Sequence, residues 1–210
     1  MIETLTMPRS QAAPAADAAL REHEHALARA RRRFTTAEYH RMAEAGVLTE
    51  DDRVELLDGE IVAMSPIGSR HSGTVNRLNM LFAQRLGSRA IVSVQNPIVL
   101  DDYSEPQPDL AILAARADYY VGAHPRPADV LLAIEVMETS GSYDRALKLP
   151  LYARRRLREV WLVDLAGGAV DVHRRPSPSG YRERQRLALG DRIAPLAFPR
   201  MKLQVGELLG

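Results

Sequence analysis

Apolar positions in this chain fall into short runs separated by turn residues, with two stretches of helical spacing between them. Leu131-Leu132-Ala133-Ile134-Glu135-Val136-Met137 is a continuous apolar run with one acid inside it, as expected of a strand covered on both faces. Leu110-Ala111-Ile112-Leu113, opened by Pro108-Asp109, is a second such run, and Glu159-Val160-Trp161-Leu162-Val163-Asp164 a third, with Trp161 as a core residue. Residues 53–57 and 60–64 flank Asp58-Gly59, which predicts a hairpin on a two-residue turn. Thr35-Thr36-Ala37-Glu38 reads as a capping box with Thr35 as N-cap, and Gly46 ends that helix. Ser69 is the expected N-cap of a helix from Arg70 to Leu86, with Val75, Leu78, Leu81, Phe82 and Leu86 on one side.

Residues 90–94 and 98–100 read as short strands separated by Asn96-Pro97. A helical stretch from Ser142 to Arg156 is disturbed by Pro150, which cannot donate to the carbonyl of Ala146. Gly167-Gly168 turns the third apolar run into a strand over 169–175, and Pro176–Gly180 loops to a last strand over 181–187. This order predicts an α/β fold, a mixed β-sheet flanked by helices, with an N-terminal β-hairpin and C-terminal antiparallel strands.

Residues 1–33 are rich in Ala and Arg, with Leu20 and Leu27 the only large apolar side chains after Met7, so they are expected to be a flexible arm, with a frayed helix near Asp17–Arg33, preceding a single domain at 34–210. Arg31-Arg32-Arg33 suits either a solubilising tail or contact with nucleic acid. His23 and His25 do not share a helix face and make a poor metal pair.

Composition narrows the chemistry. The formal net charge is only +1, but residues 49–145 carry 8 basic against 15 acidic side chains and residues 146–210 carry 13 against 6. An acidic half joined to a basic half suits a metal centre beside a phosphate-binding surface, and equally a solvated basic face. With no cysteine there is no disulfide, no thiolate metal site and no cysteine nucleophile. No apolar run nears the roughly 18 residues that span a bilayer. The first residues carry no signal-peptide pattern, so a soluble cytoplasmic protein without a membrane partner is expected.

Glu135 inside its apolar run needs a cation, a metal or a proton, because burying a lone carboxylate costs several kcal/mol. If the strands bearing Asp109 and Glu135 pair, the two acids stand side by side, about 4.8 Å apart by strand spacing. Two acids at that distance repel without a bridging cation, and the oxygen-rich site favours Mg²⁺ or Mn²⁺, with the Val136 carbonyl as third ligand. Lys148 is the only lysine before Lys202. A strand leg of about 10 Å beyond Glu135 and a helical return of about 9 Å bring it back level with that acid. Two strand-borne acids and a lysine are the parts of a metal-dependent phosphodiesterase site; they are also the parts of a buried ion pair. His71 reads as solvated in the first turn of its helix, the alternative being a role near substrate, and Arg154-Arg155-Arg156 with Arg158 as a wet helix end rather than a DNA clamp.

EPQPDLAIL, IEVMETSGSYDRALKLPLYA and EVWLVDL, with VELLDGEIVAMSP and His71 upstream, resemble the Uma-two family of the PD-(D/E)XK restriction-endonuclease-like superfamily from about Phe34 to the C-terminus. The resemblance implies a restriction-endonuclease-like fold and a Mg²⁺- or Mn²⁺-dependent endonuclease acting on DNA, with Asp109, Glu135 and Lys148 as site residues and Glu55 as an extra acid. The lysine expected two residues after the second acid is replaced by Met137, and the matching lysine is Lys148. A homodimer is expected from the same source, since cutting both strands of a duplex is easiest with paired sites. The competing expectation is a catalytically silent nucleic-acid-binding or assembly protein on the same fold.

Overall fold

The computed structural model describes residues 30–49, 51–138 and 144–210, together with positions 22, 23 and 26. The folded body runs from Phe34 to Gly210. Its centre is a six-stranded sheet in the order β3 (Ala90–Val94), β4 (Leu110–Ala114), β5 (Val130–Met137), β6 (Glu159–Asp164), β7 (Ala169–Ser177) and β8 (Gly180–Ala188). Only β5 and β6 are parallel. The parallel pair needs a crossover, which includes a π-helical turn at Asp144–Lys148 and helix α3 (Leu149–Arg154).

Both faces of the sheet are covered, which is why its central strands are nearly all apolar. Helix α2 (Ser69–Leu86) lays Val75, Leu78, Phe82 and Leu86 over Ile112, Ile134 and Trp161, joined at the C-terminus by the short helix α4 (Val205–Leu209). The opposite face buries Leu151, Tyr152 and Leu157 against Ala133, Leu162 and Val160. Helix α1 (Thr36–Glu44) has the capping box read from Thr35 and Glu38. The hairpin β1 (Val54–Leu57) and β2 (Glu60–Ala63) turns at Asp58-Gly59, both with positive φ as a type I′ turn requires. Trp161 is fully buried.

Several boundaries differ from the expectation, each for a local reason. The N-cap of α2 is Gly68, and Ser69 is its first helical residue. Residues 98–100 form no strand; Ile98 and Leu100 donate to Pro106 and Ser104 in a tight loop, where the prolines at 97, 106 and 108 remove ladder donors. The helical stretch is interrupted where Pro150 is expected to disturb it: a π-turn over Asp144–Lys148 gives way to α3 at Leu149, next to the residue that cannot donate to the Ala146 carbonyl. The β7–β8 hairpin closes tightly at Ser177 and Gly180, and Pro176 is tolerated in β7 because pairing with β6 has ended at Arg174. Two further short strands, β9 (Arg192–Ile193) and β10 (Leu203–Gln204), follow β8. The expected turn at 139–141 and the start of the helix at Ser142 lie outside the described residues.

Candidate active site

The β4–β5 ladder stops at the Leu110–Ile134 pair, one step short of Asp109 and Glu135. Backbone N–H groups at the end of a ladder still need acceptors. Here the two acids supply them crosswise: Asp109 N–H donates to Glu135 Oε2 at 3.4 Å, and Val136 N–H donates to Asp109 Oδ2 at 2.8 Å. The acids expected to lie side by side do so, held by each other's strand.

Asp109 is gripped from two more directions. His71 Nε2 lies 3.0 Å from Asp109 Oδ2, with both side chains 14% exposed. Gln95 donates its N–H to the Asp109 carbonyl at 3.1 Å and its Nε2 to Oδ1 at 3.4 Å, from a backbone with φ of 51°. His71 is therefore not the solvated residue expected; the first turn of α2 is aimed at the end of β4. Gln95 carried no sequence signal, because its left-handed backbone follows from the turn and not from its residue type.

Glu55, Glu135 and Lys148 are buried, at 1%, 2% and 4% exposure. Lys148 Nζ lies 3.2 Å from Glu55 Oε2, 3.5 Å from Glu135 Oε1 and 3.3 Å from the carbonyl of Gln107. Gln107 N–H in turn donates to Glu55 Oε2 at 3.0 Å. Tyr152, four residues after Lys148 and fully buried, donates its hydroxyl to Glu135 Oε1 at 2.6 Å. That spacing puts Tyr152 and Lys148 on one helical face, a signal that the sequence itself carries. The two carboxylates do not face each other alone: Lys148 stands beside Glu135 and His71 beside Asp109.

Glu55, His71, Gln107, Asp109, Glu135 and Lys148 line one pocket of about 220 Å³, with Val136, the half-buried Glu138 and the exposed Arg53 also in its wall. Met137, at the place two residues after Glu135, is packed in the core under α3, so no group at that place reaches the pocket. Among the described residues, no three His, Asp or Glu side chains are gathered as a ready metal cage. Arg154, Arg156 and Arg158 are exposed at the end of α3, as expected of a wet helix end, while Arg154 pairs with Asp58 and Arg155 with Asp101, tying α3 to the hairpin turn and its neighbouring loop.

Residues 36–206 match the family model of Uma2, described as "Putative restriction endonuclease". The chain belongs to the Uma2 family. Its fold is also that of an Anabaena variabilis protein whose crystal structure is described as "a putative nuclease belonging to DUF820". The TM-score is 0.65 at 14% identity, covering 84% of this chain and 97% of that one, a likeness of fold alone. No curated protein matches the chain. In this Uma2 chain the family's restriction-endonuclease-like sheet is the element that positions Asp109 and Glu135, while the crossover brings in Lys148. No helix among the described residues is long and apolar enough to cross a membrane.

Proposed function

We propose that this Uma2 protein is a Mg²⁺- or Mn²⁺-dependent endonuclease that hydrolyses DNA phosphodiester bonds. The observation that carries the reading is the convergence of Asp109, Glu135 and Lys148, from three separate stretches of chain, on one pocket. The donors fit a hard divalent cation: two carboxylates in one wall with Val136, whose carbonyl would be the third ligand. Among the described residues Asp109 Oδ1 meets Gln95 alone, at a long 3.4 Å, which leaves that oxygen able to take a cation. When bound, such an ion neutralises charge on a phosphodiester oxygen and lowers the pKa of a water.

The chain's own groups do the rest. Asp109 and Glu135 hold the ion, with His71 and Tyr152 fixing the orientation of the two carboxylates. Lys148 supplies a compact positive charge that orients the attacking water and stabilises charge developing on the phosphoryl oxygens. Glu55 and the Gln107 carbonyl keep that ammonium in place. A homodimer, with two such sites on one duplex, is part of the same reading.

The test is conversion of supercoiled plasmid to nicked or linear forms. It should proceed with Mg²⁺ or Mn²⁺, stop with EDTA, and be abolished by Asp109→Ala. Calorimetric titration with Mn²⁺ should lose its binding heat in Glu135→Gln. Activity retained by Asp109→Ala would place the chemistry elsewhere. A catalytically silent nucleic-acid binder is favoured by one observation: Lys148 is buried and surrounded by three acceptors, as a structural ion pair would be. DNA binding with inactivity across metals would decide for it.

A further inference from the structure

A polyanion cannot enter a pocket walled by Glu55, Asp109, Glu135 and Glu138 unless cations meet it. Three basic side chains line that pocket, and two are committed to its acids: Lys148 to Glu55 and Glu135, and His71 to Asp109. The third is Arg53. It is exposed and forms no ion pair among the described residues; its one hydrogen bond, from Nη1 to the Ser65 carbonyl, is long at 3.4 Å. Arg53 stands two residues before Glu55, and the two-residue period of an extended chain puts it on the face that Glu55 turns toward Lys148.

Arg53 also belongs to a second hollow, of about 700 Å³, which shares Met64 and Gln107 with the acidic pocket. Tyr39, Ala43, Gly46, Leu48 and Val54 form its other walls together with Thr49 and Asp52, whose carboxylate accepts from the Thr49 N–H and hydroxyl, a lining of mixed apolar and polar groups. That composition suits a flat, partly polar ring system with a sugar attached.

We propose that Arg53 binds the phosphate next to the scissile one, and that the hollow beyond it seats the attached nucleoside of the DNA strand. This subsite rests on the nuclease reading and adds to it a fixed direction for the substrate strand: from the acid pair, past Arg53, toward α1. A guanidinium is suited to the task because its planar fork takes two phosphate oxygens at once.

The experiment uses the full chain and a fluorescein-labelled DNA duplex, with Ca²⁺ for anisotropy binding and Mn²⁺ for turnover. Arg53→Ala should raise Kd about tenfold, the loss expected of a charge-assisted bond, and reduce the salt slope by about one contact. KM should rise more than kcat falls, and Arg53→Lys should recover part of the affinity. Ala43→Trp, which fills the hollow from an exposed helical position without changing charge, should also raise Kd and KM at an unchanged thermal midpoint. Arg200→Ala, at an exposed position outside both hollows, should leave binding and turnover as they are. Wild-type binding in Arg53→Ala overturns the proposal, and wild-type binding in Ala43→Trp removes its nucleoside half. If the unmodified chain neither binds nor cuts DNA, the nuclease reading itself falls and takes this subsite with it, a pattern distinct from selective failure of the variants.

Discussion

Glu55 and Glu135, on strands of two different sheets, hold the same ammonium: Lys148 Nζ lies 3.2 Å from Glu55 Oε2 and 3.5 Å from Glu135 Oε1. The lysine thereby locks the β1–β2 hairpin to the central sheet while sitting beside the acid pair. Its charge is needed by the fold and, on the nuclease reading, by the chemistry.

Removing one member of a buried ionic cluster is costly, because the remaining charges stay buried. Lys148→Ala should destabilise the protein by about 3–5 kcal/mol and cut turnover per folded molecule by orders of magnitude. Lys148→Arg should not restore turnover, since a flat guanidinium is the wrong shape for a single oxygen. The combined change Glu55→Gln, Glu135→Gln, Lys148→Met should return most of the stability and none of the activity. Chemical denaturation and plasmid cleavage are read together. Full turnover per folded Lys148→Ala molecule would make the lysine a structural partner alone.

Tyr152→Phe keeps the buried ring and deletes one hydroxyl, which donates to Glu135 Oε1 at 2.6 Å. The loss should be about 1–2 kcal/mol of stability, with weaker Mn²⁺ binding in a calorimetric titration because the carboxylate is less well oriented. Unchanged Mn²⁺ affinity would mean that Lys148 orients Glu135 unaided.

The boundary at Phe34 can be tested by truncation. Removing residues 1–33, which contain few large apolar side chains, should leave the thermal midpoint nearly unchanged. If Arg31-Arg32-Arg33 track phosphates, the truncated chain should bind DNA with a salt slope lower by up to about three contacts. A large fall in the midpoint would show that the segment is part of the core.

Alkaline pH should act through Tyr181. Its hydroxyl is buried and donates to the Leu157 carbonyl at 2.8 Å, and burial holds its pKa far above the ordinary value. In the unfolded chain the phenol ionises from about pH 10, whereas the folded one keeps its proton. The unfolded state therefore binds fewer protons there, and stability present below that pH declines as pH rises past it. Tyr39, also raised by burial and by Glu105 and Glu55, acts in the same direction. Denaturant midpoints from pH 8 to 11 should fall less steeply in Tyr181→Phe; an unchanged slope would assign the loss to other groups.

The apolar runs, the Asp58-Gly59 turn and the Thr35–Glu38 capping box determine by themselves a hairpin, a covered mixed sheet and helices packed on it, because period, turn chemistry and capping are local properties. They also put Asp109 and Glu135 on successive apolar runs, and the fold decides that those runs pair. What they cannot do is tell one buried acid from another. Glu135 and Glu159 are both acids in covered strands, at 2% and 1% exposure. Glu159 is bonded by Arg174, by Trp161 Nε1 at 2.8 Å and by Leu196 N–H at 2.6 Å, and lines no part of the acidic pocket. Glu135 stands where the β4–β5 ladder ends, so its carboxylate lines the pocket together with Lys148. That difference arises from where pairing stops and which helix returns across the strand. Gln95, His71, Tyr152 and Arg53 took their places by the same tertiary route, because a site assembled from distant stretches exists only once the sheet has closed.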